Sequence, residues 1–202
     1  MNEKIIQQIE LVDWDNPESV VSFYEENTLY FDNYDLIKDI DTIFEIANIK
    51  LAYIESLETK KRYKKADKYL RHVDVLIQKL KDHIEFEKLN ERYYFAFGVI
   101  SQRLKRLEDS QTYFKKLIKI DPENDLYSEW LKDNKQSIFQ KKSYIIGYIG
   151  FGLVFLDMFL DGIFNSGFGE NFYLYGFSIM LIGFYLPALI RQLKRFNEKI
   201  KK

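Results

Sequence analysis

Two aspartates lie four residues apart in an otherwise apolar stretch, residues 143–164. On a helix, side chains at positions i and i+4 lie one above the other, so Asp157 and Asp161 would share one face. An acidic pair inside an apolar helix is a candidate proton relay or ion site. The alternative is structural, because the hydroxyls of Tyr175 and Ser178 on a second apolar segment fall at matching depths and can hydrogen-bond the carboxyls.

No other residue pattern predicts catalysis. His72 and His83 are eleven residues apart with no third ligand in register, which disfavours a metal site. The chain has no cysteine. It also lacks the glycine-rich phosphate and dinucleotide loops and the nucleophile elbow of hydrolases. We therefore expect neither an enzyme nor a bound cofactor.

Charge is distributed unevenly along the chain. Residues 1–58 carry fourteen acids against three lysines, whereas residues 59–142 carry twenty-one basic residues against thirteen acids. Seven of those basic residues lie in the run 60–71. This run belongs to no recognised nucleic-acid-binding module, so we expect no nucleic acid partner. It is either a solvated helix face or a surface attracted to an anionic inner membrane leaflet. The acidic segment either points away from the membrane or folds against the basic middle.

Two apolar segments predict a membrane hairpin. Residues 171–190 run for twenty residues without a formal charge, and residues 143–164 are interrupted only by the two aspartates. About twenty residues at ~1.5 Å rise cover the ~30 Å hydrocarbon core of a bilayer. We expect spans over residues 143–164 and 172–190, joined by a short loop.

The flanking charges predict the orientation of this hairpin. Lys141 and Lys142 precede the first span, the basic tail 191–202 follows the second, and the loop holds no lysine or arginine. By the positive-inside rule, both termini are cytosolic. A composition rich in Lys, Ile, Asn, Phe and Tyr is typical of an AT-rich genome, which favours a bacterial plasma membrane.

Small residues predict how the two spans pack. One stripe, at three- and four-residue steps, contains Gly147, Gly150 and Val154, and it continues to the two aspartates. The second contains Gly176, Met180, Gly183 and Pro187. Because small residues let helix backbones approach closely in lipid, we expect these faces to meet. The hairpin can also associate with a second copy or with another protein's helices, so homo- and hetero-oligomers stay open.

The residues before the membrane are predicted to be helical throughout. Asn16-Pro17 is a helix start, because proline is tolerated in the first turn. In residues 35–57, apolar side chains recur at three- and four-residue spacings, and the pattern resumes at Tyr63 after a short turn. We therefore expect an acidic helical segment over residues 1–34, followed by two long helices folded back on each other.

Residues 91–122 carry the clearest local signature. Apolar and small residues recur at set positions: Tyr94, Phe97 and Gly98 in a first helix, and Ser110, Phe114 and Leu117 in a second, closed by Asp121-Pro122. This pattern resembles a tetratricopeptide repeat, although Ser101 stands where an aromatic is usual and Lys105 where glycine is frequent. The resemblance implies an all-α fold of antiparallel helical hairpins, an α-solenoid. It would cover residues 35–142, with residues 123–142 as the capping helix.

The resemblance also implies a protein or peptide partner. On the family pattern, the groove would present Arg92, Phe95, Val99 and Gln102. Phe95 and Val99 replace the lysine and asparagine with which some family members clamp a C-terminal carboxylate, so an apolar or aromatic peptide is favoured. The leading hypothesis is a membrane-anchored adaptor. The alternatives are a small accessory subunit of a transport or secretion complex that uses Asp157 and Asp161, and a toxin or immunity-type hairpin, which no specific residue supports.

Overall fold

The computed structural model of the protein describes residues 3–33, 39–164 and 169–200, and all regular structure within these ranges is α-helical. The chain divides into two compact units, residues 1–134 and 135–202. The helices are α1 (Glu3–Glu10), α2 (Pro17–Glu26), α3 (Thr28–Asp32), α4 (Ile40–Thr59), α5 (Tyr63–Lys79), α6 (Phe86–Arg103), α7 (Leu107–Ile120), α8 (Asp125–Phe164) and α9 (Gly169–Ile200). The predicted all-α fold is therefore confirmed.

Side-chain caps begin three of these helices, and at α8 the Asn124 side-chain oxygen accepts a hydrogen bond from the Leu126 backbone N–H at 3.2 Å. At α2 the Asn16 side-chain oxygen accepts a hydrogen bond from the Glu18 backbone N–H at 3.0 Å, and Pro17 occupies the first helical position. This confirms the predicted helix start. At α4 the Asp39 carboxylate accepts a hydrogen bond from the Thr42 backbone N–H at 2.9 Å. These caps satisfy amide groups that the first turn of a helix leaves without an internal partner.

Two helical hairpins, α4 with α5 and α6 with α7, turn in the same way. Lys61 has φ 59° and Lys105 has φ 64°, so both lysines lie in the left-handed region that favours glycine. The next amide closes each turn: Arg62 N donates to the Leu57 carbonyl at 2.8 Å, and Arg106 N to the Ser101 carbonyl at 2.9 Å. This is the hydrogen bond of a Schellman motif. The two lysines are forty-four residues apart, so the two hairpins do not follow the 34-residue spacing of the repeat that the sequence resembles.

The main core of the first unit contains a buried ion pair among aromatic rings. Lys50 is fully buried, and its Nζ lies 2.6 Å from a carboxylate oxygen of Asp32. The Tyr24 hydroxyl donates to the same oxygen at 2.9 Å, and the Tyr24 ring stacks on Tyr53 at 4.0 Å. Burial lowers the pKa of Lys50, and the hydrogen bond to Asp32 opposes that shift. These contacts attach α2 and α3 to α4.

The acidic segment also pairs with the basic middle of the chain. Ion pairs that join residues 1–58 to residues 59–142 include Glu18–Lys60, Glu25–Lys65, Glu55–Arg92 and Glu58–Arg103. The hydrogen bond from Lys65 holds the pKa of Glu25 below its usual range. Exposed pairs of this kind contribute about 0–1 kcal/mol each, so they balance the charge of the fold more than they stabilise it. Of the two arrangements considered for the acidic segment, folding against the basic middle is the one observed.

In the second unit, the small-residue faces of α8 and α9 meet as predicted. A Cβ placed on Gly183 would lie 2.1 Å from the Gly147 backbone nitrogen, and one on Gly150 would lie 2.3 Å from the Met180 backbone nitrogen. Such distances leave no room for any side chain larger than hydrogen. The two helix backbones are therefore in direct contact at these glycines.

The predicted capping helix and the two predicted spans lie within two long helices. The predicted capping helix 123–142 and the predicted first span 143–164 are one continuous helix, α8. The predicted second span, 172–190, is the middle part of the longer helix α9. Part of the predicted loop, residues 165–168, lies outside the described residues.

Within the described residues, two helices are long and apolar enough to cross a membrane. The segments are Asp125–Leu160 and Tyr173–Leu193, each with a mean hydropathy of 1.7 over its most apolar window. Large apolar side chains on these segments that are more than half exposed include Ile145, Ile149, Phe151, Phe155, Phe159, Leu174, Ile182 and Leu189. An exposed apolar surface of this extent is typical of a face that contacts lipid or another protein.

Candidate functional site

Two cavities lie between α4 and α6. The larger has a volume of about 650 Å³, and besides α4 and α6 its walls come from α1, the α1–α2 connection and the start of α2. The smaller, of about 120 Å³, is lined by α4 and α6 alone. Glu55 and Thr59 line both cavities. We call the two cavities together the α4–α6 groove.

Arg92 lines the larger cavity and binds across to α4. Its guanidinium makes a two-pronged ion pair with Glu55, with Nε 2.7 Å from one carboxylate oxygen and an amino nitrogen 2.6 Å from the other. The second amino nitrogen lies 3.4 Å from the side-chain oxygen of Asn48. The fork of the guanidinium matches the carboxylate, so Arg92 fixes α6 to α4 at this point.

Phe95 and Val99 line the smaller cavity, on α6 one and two turns beyond Arg92. The Phe95 ring is half-buried, and its centroid lies 5.8 Å from that of Tyr127, 6.2 Å from that of Trp130 and 6.3 Å from that of Phe114. Val99 is almost fully buried in a small apolar cluster with Phe114, Leu117 and Tyr127. These two side chains form an apolar wall whose position is fixed by α7 and the start of α8.

Gln102, the fourth residue of the predicted groove, lines neither cavity. Its side-chain oxygen faces α7, where it accepts a 3.5 Å hydrogen bond from the Ser110 hydroxyl. The structure therefore brings Arg92, Phe95 and Val99 to the α4–α6 groove and leaves Gln102 outside it.

Residues from the first sixty positions form most of the larger cavity, and the repeat pattern did not indicate them. They include Trp14, Asp15, Glu45, Asn48 and Glu55. The Trp14 side chain is 42% exposed. A signal was present in the sequence, since tryptophan is enriched at protein interfaces. Only the packing of α1 and α2 beside α4 brings these residues to the groove.

The residues predicted to pack the repeat lie between α6 and α7. A Cβ on Gly98 would lie 3.0 Å from the Phe114 ring, so this glycine lets the two helices approach. The Phe97 ring stacks on Tyr113 at 4.1 Å, and Tyr94 lies 5.6 Å from the same ring. Ser110, Phe114 and Leu117 are buried, and Pro122 is exposed in the turn between α7 and α8.

The predicted polar contacts of the second unit are described only in part. Asp157 is half-buried on α8, while Tyr175 and Ser178 are exposed on α9. Within the described residues, no hydrogen bond joins Asp157 to either hydroxyl. The side chain of Asp161 lies outside the described part of the chain.

The two histidines have separate surroundings. His83 stacks on Phe44 at 4.1 Å, and its Nε2 lies 3.5 Å from an Asp41 carboxylate oxygen. His72 packs edge-on against Tyr69 at 5.5 Å, and burial lowers its pKa. Among the residues that the structure describes, no three His, Asp or Glu side chains are grouped so that they could hold a metal ion.

Comparison with known families identifies one repeat. The model of a family described as Tetratricopeptide repeat matches residues 91–124, which cover most of α6 and all of α7. Neither the curated proteins nor the solved structures gave a match. The chain therefore has an all-α, tetratricopeptide-like helical fold in which residues 91–124 are the recognised repeat. A repeat of this family indicates a role in protein–protein interaction or as a scaffold, and the family is typically non-catalytic.

Proposed function

We propose that this protein is a membrane-anchored adaptor that binds a protein or peptide in the α4–α6 groove on the cytosolic side. The observation that carries the proposal is the groove itself, which adjoins the recognised repeat. A volume of about 650 Å³ lies within the range of ligand-binding pockets, ~300–1,000 Å³. The smaller cavity of about 120 Å³, walled by Phe95 and Val99, can take one apolar side chain of the partner.

The C-terminal hairpin would hold this groove at a membrane. Two apolar helices with exposed large side chains and backbones in contact at glycines support an anchor. The lysine- and arginine-free loop supports the cytosolic orientation of both termini. In a bacterial plasma membrane, basic residues beside the hairpin would face an anionic leaflet, which adds an electrostatic attraction.

Site-specific photo-crosslinking in intact cells tests the groove. A benzophenone amino acid replaces Phe95 in the full-length chain, and the control places it at Lys115, an exposed residue of α7. Position 95 should give a discrete crosslinked protein band that position 115 does not give. The same bands from both positions, or no band from position 95, would refute binding in the groove.

Extraction and labelling test the anchor. The protein should stay in the membrane pellet after carbonate washing. Because the natural chain has no cysteine, single cysteines introduced at residues 2, 166 and 201 report topology without background. Residues 2 and 201 should react with an impermeant maleimide only from the cytosolic side, and residue 166 only from the opposite side. Release by carbonate, or termini on opposite sides, would refute the hairpin.

Asp157 favours a second candidate, a small accessory subunit of a membrane transport or secretion complex. Its carboxylate has no hydrogen-bond or ion-pair partner among the described residues. A carboxylate in hydrocarbon requires such a partner, and another protein's helix can supply it. An Asp157→Asn, Asp161→Asn double variant that inserts normally but loses a co-purifying membrane protein would favour this candidate. Unchanged co-purification would mean that Asp157 and Asp161 serve only in helix packing.

A further inference from the structure

We infer that the larger cavity of the α4–α6 groove receives a cationic side chain, so that the partner is a peptide segment in which lysine or arginine stands beside apolar residues. This inference rests on the proposed function and specifies its ligand. It follows from the charges, the polar contacts and the apolar floor of the cavity.

The charges of the cavity are unbalanced. Three carboxylates line it, those of Asp15, Glu45 and Glu55, against one guanidinium, that of Arg92. The guanidinium is already occupied, because both carboxylate oxygens of Glu55 bind it at 2.6–2.7 Å. Neither Asp15 nor Glu45 has an ion-pair partner among the described residues. A ligand therefore meets two negative charges with which no described residue forms an ion pair.

The neutral polar groups of the wall make internal hydrogen bonds. The Ser56 hydroxyl donates to the Ala52 carbonyl at 2.8 Å, and the Thr59 hydroxyl donates to the Glu55 carbonyl at 3.1 Å. The Asn48 side-chain oxygen accepts from Arg92. Asp15 and Glu45 are exposed residues, so their carboxylates are the charged acceptors that this wall presents to a ligand donor.

The rest of the lining suits the body of such a side chain. Ile9, Ile49 and Ala52 provide an apolar surface for the methylene groups of lysine or arginine. The Trp14 ring lines the same cavity and is 42% exposed, and its intramolecular ring contact is edge-on to Phe23 at 6.0 Å. Tryptophan is the strongest cation–π partner among the side chains. The cavity thus combines an apolar floor, an available aromatic ring and two carboxylates.

An anionic ligand fits this cavity poorly. A phosphate or a peptide carboxylate would face two like charges, and binding it would remove water from all of them. A neutral apolar peptide would bury the carboxylates without a partner. Charge complementarity therefore selects a basic segment, and it should also raise the rate of association at low salt.

Peptide binding to the full-length protein tests the inference. The protein is embedded in phosphatidylcholine nanodiscs, which are uncharged overall and so do not bind basic peptides by themselves. Three fluorescent nine-residue peptides share the same leucine and phenylalanine positions and carry lysine, glutamine or glutamate at three others. A random nine-residue display library is selected in parallel on the same nanodiscs.

The lysine peptide should bind most tightly, and raising sodium chloride from 50 to 500 mM should weaken it. An Asp15→Asn, Glu45→Gln variant should lose about fivefold or more in affinity for it. The matched control, Asp82→Asn with Glu87→Gln, removes two exposed acids that do not line the groove and should change affinity less than twofold.

The outcomes separate this inference from the function on which it rests. If the library enriches neutral or acidic peptides whose binding is lost in Phe95→Leu, the groove binds peptides and the inference of a cationic ligand is wrong. Equal affinities of the three peptides would also overturn it. If no peptide is enriched on the protein over empty nanodiscs, both the inference and peptide binding by the groove are refuted.

Discussion

The contact between α8 and α9 makes a sharp prediction, because two nearby glycines have opposite surroundings. A Cβ added at Gly150 would lie 2.3 Å from the Met180 nitrogen and 2.8 Å from the Gly176 carbonyl oxygen. Both are backbone atoms, which cannot rotate away as a side chain can. A Cβ added at Gly152 would meet nothing within 4 Å. Alanine should therefore separate the helices at position 150 and leave them in place at position 152.

The magnitude follows from these distances. Ordinary Cβ contacts lie at 3.4–4 Å, so the backbones must part by about 1 Å in Gly150→Ala. Overpacking of this kind costs about 1–3 kcal/mol. Alanine is intrinsically better than glycine in a helix by about 1 kcal/mol, and Gly152→Ala gains this without a penalty. The two variants should differ in hairpin stability by about 1–3 kcal/mol, with Gly150→Ala the weaker.

Unfolding of the full-length protein in mixed micelles measures this difference. Because the chain has no cysteine, fluorophores at introduced Ile149→Cys and Ile182→Cys report the distance between α8 and α9, and both positions are 57% exposed. Gly150→Ala should lose energy transfer at a lower dodecyl sulfate fraction than the parent, and Gly152→Ala should not. Equal midpoints for the two variants would refute the close backbone contact.

Three further predictions concern the first unit. Lys105→Gly should raise the thermal midpoint of this unit by relieving a left-handed lysine, worth about 1 kcal/mol. Lys115→Gly, at an exposed position in the middle of α7, should lower it by a similar free energy. Ser101→Ala should be neutral or stabilising by about 1 kcal/mol in chemical denaturation, because the Ser101 hydroxyl is fully buried without a hydrogen-bond partner. A loss of stability of more than about 1 kcal/mol would show that this hydroxyl does make a hydrogen bond. Burial lowers the folded-state pKa of His72, so the contribution of this residue to stability is complete above the unfolded pKa of about 6.5 and is lost as the pH falls. His72→Gln should therefore reduce the dependence of the denaturation midpoint on pH between 7 and 5. An unchanged dependence would contradict this.

Much of the helical architecture could be predicted from local patterns. Asn16-Pro17 indicated a helix start because both residues act on the backbone within one turn. Apolar residues at three- and four-residue spacings indicated α4 and α5, since that spacing places them on one helix face. The glycine faces of α8 and α9 were predicted for the same reason, with Gly150 and Gly183 at the contacts. Each of these features depends on neighbours along one or two helices.

The groove was predictable only in part. The repeat pattern predicted that Arg92, Phe95 and Val99 share one face of α6, and all three line the groove. It did not reveal that Arg92 is bound by Glu55, a residue thirty-seven positions earlier. It also assigned Gln102 to the groove, whereas that side chain turns to Ser110.

The sequence by itself therefore determined the helices, the apolar stripes and the small-residue faces, because these depend on spacings within a turn or two of helix. Only the tertiary structure decided that Trp14, Asp15 and Glu45 line one cavity with Arg92, and that the acidic segment pairs with the basic middle. Those contacts join residues tens of positions apart. Their formation depends on how α2, α4 and α6 pack together, which no local periodicity encodes.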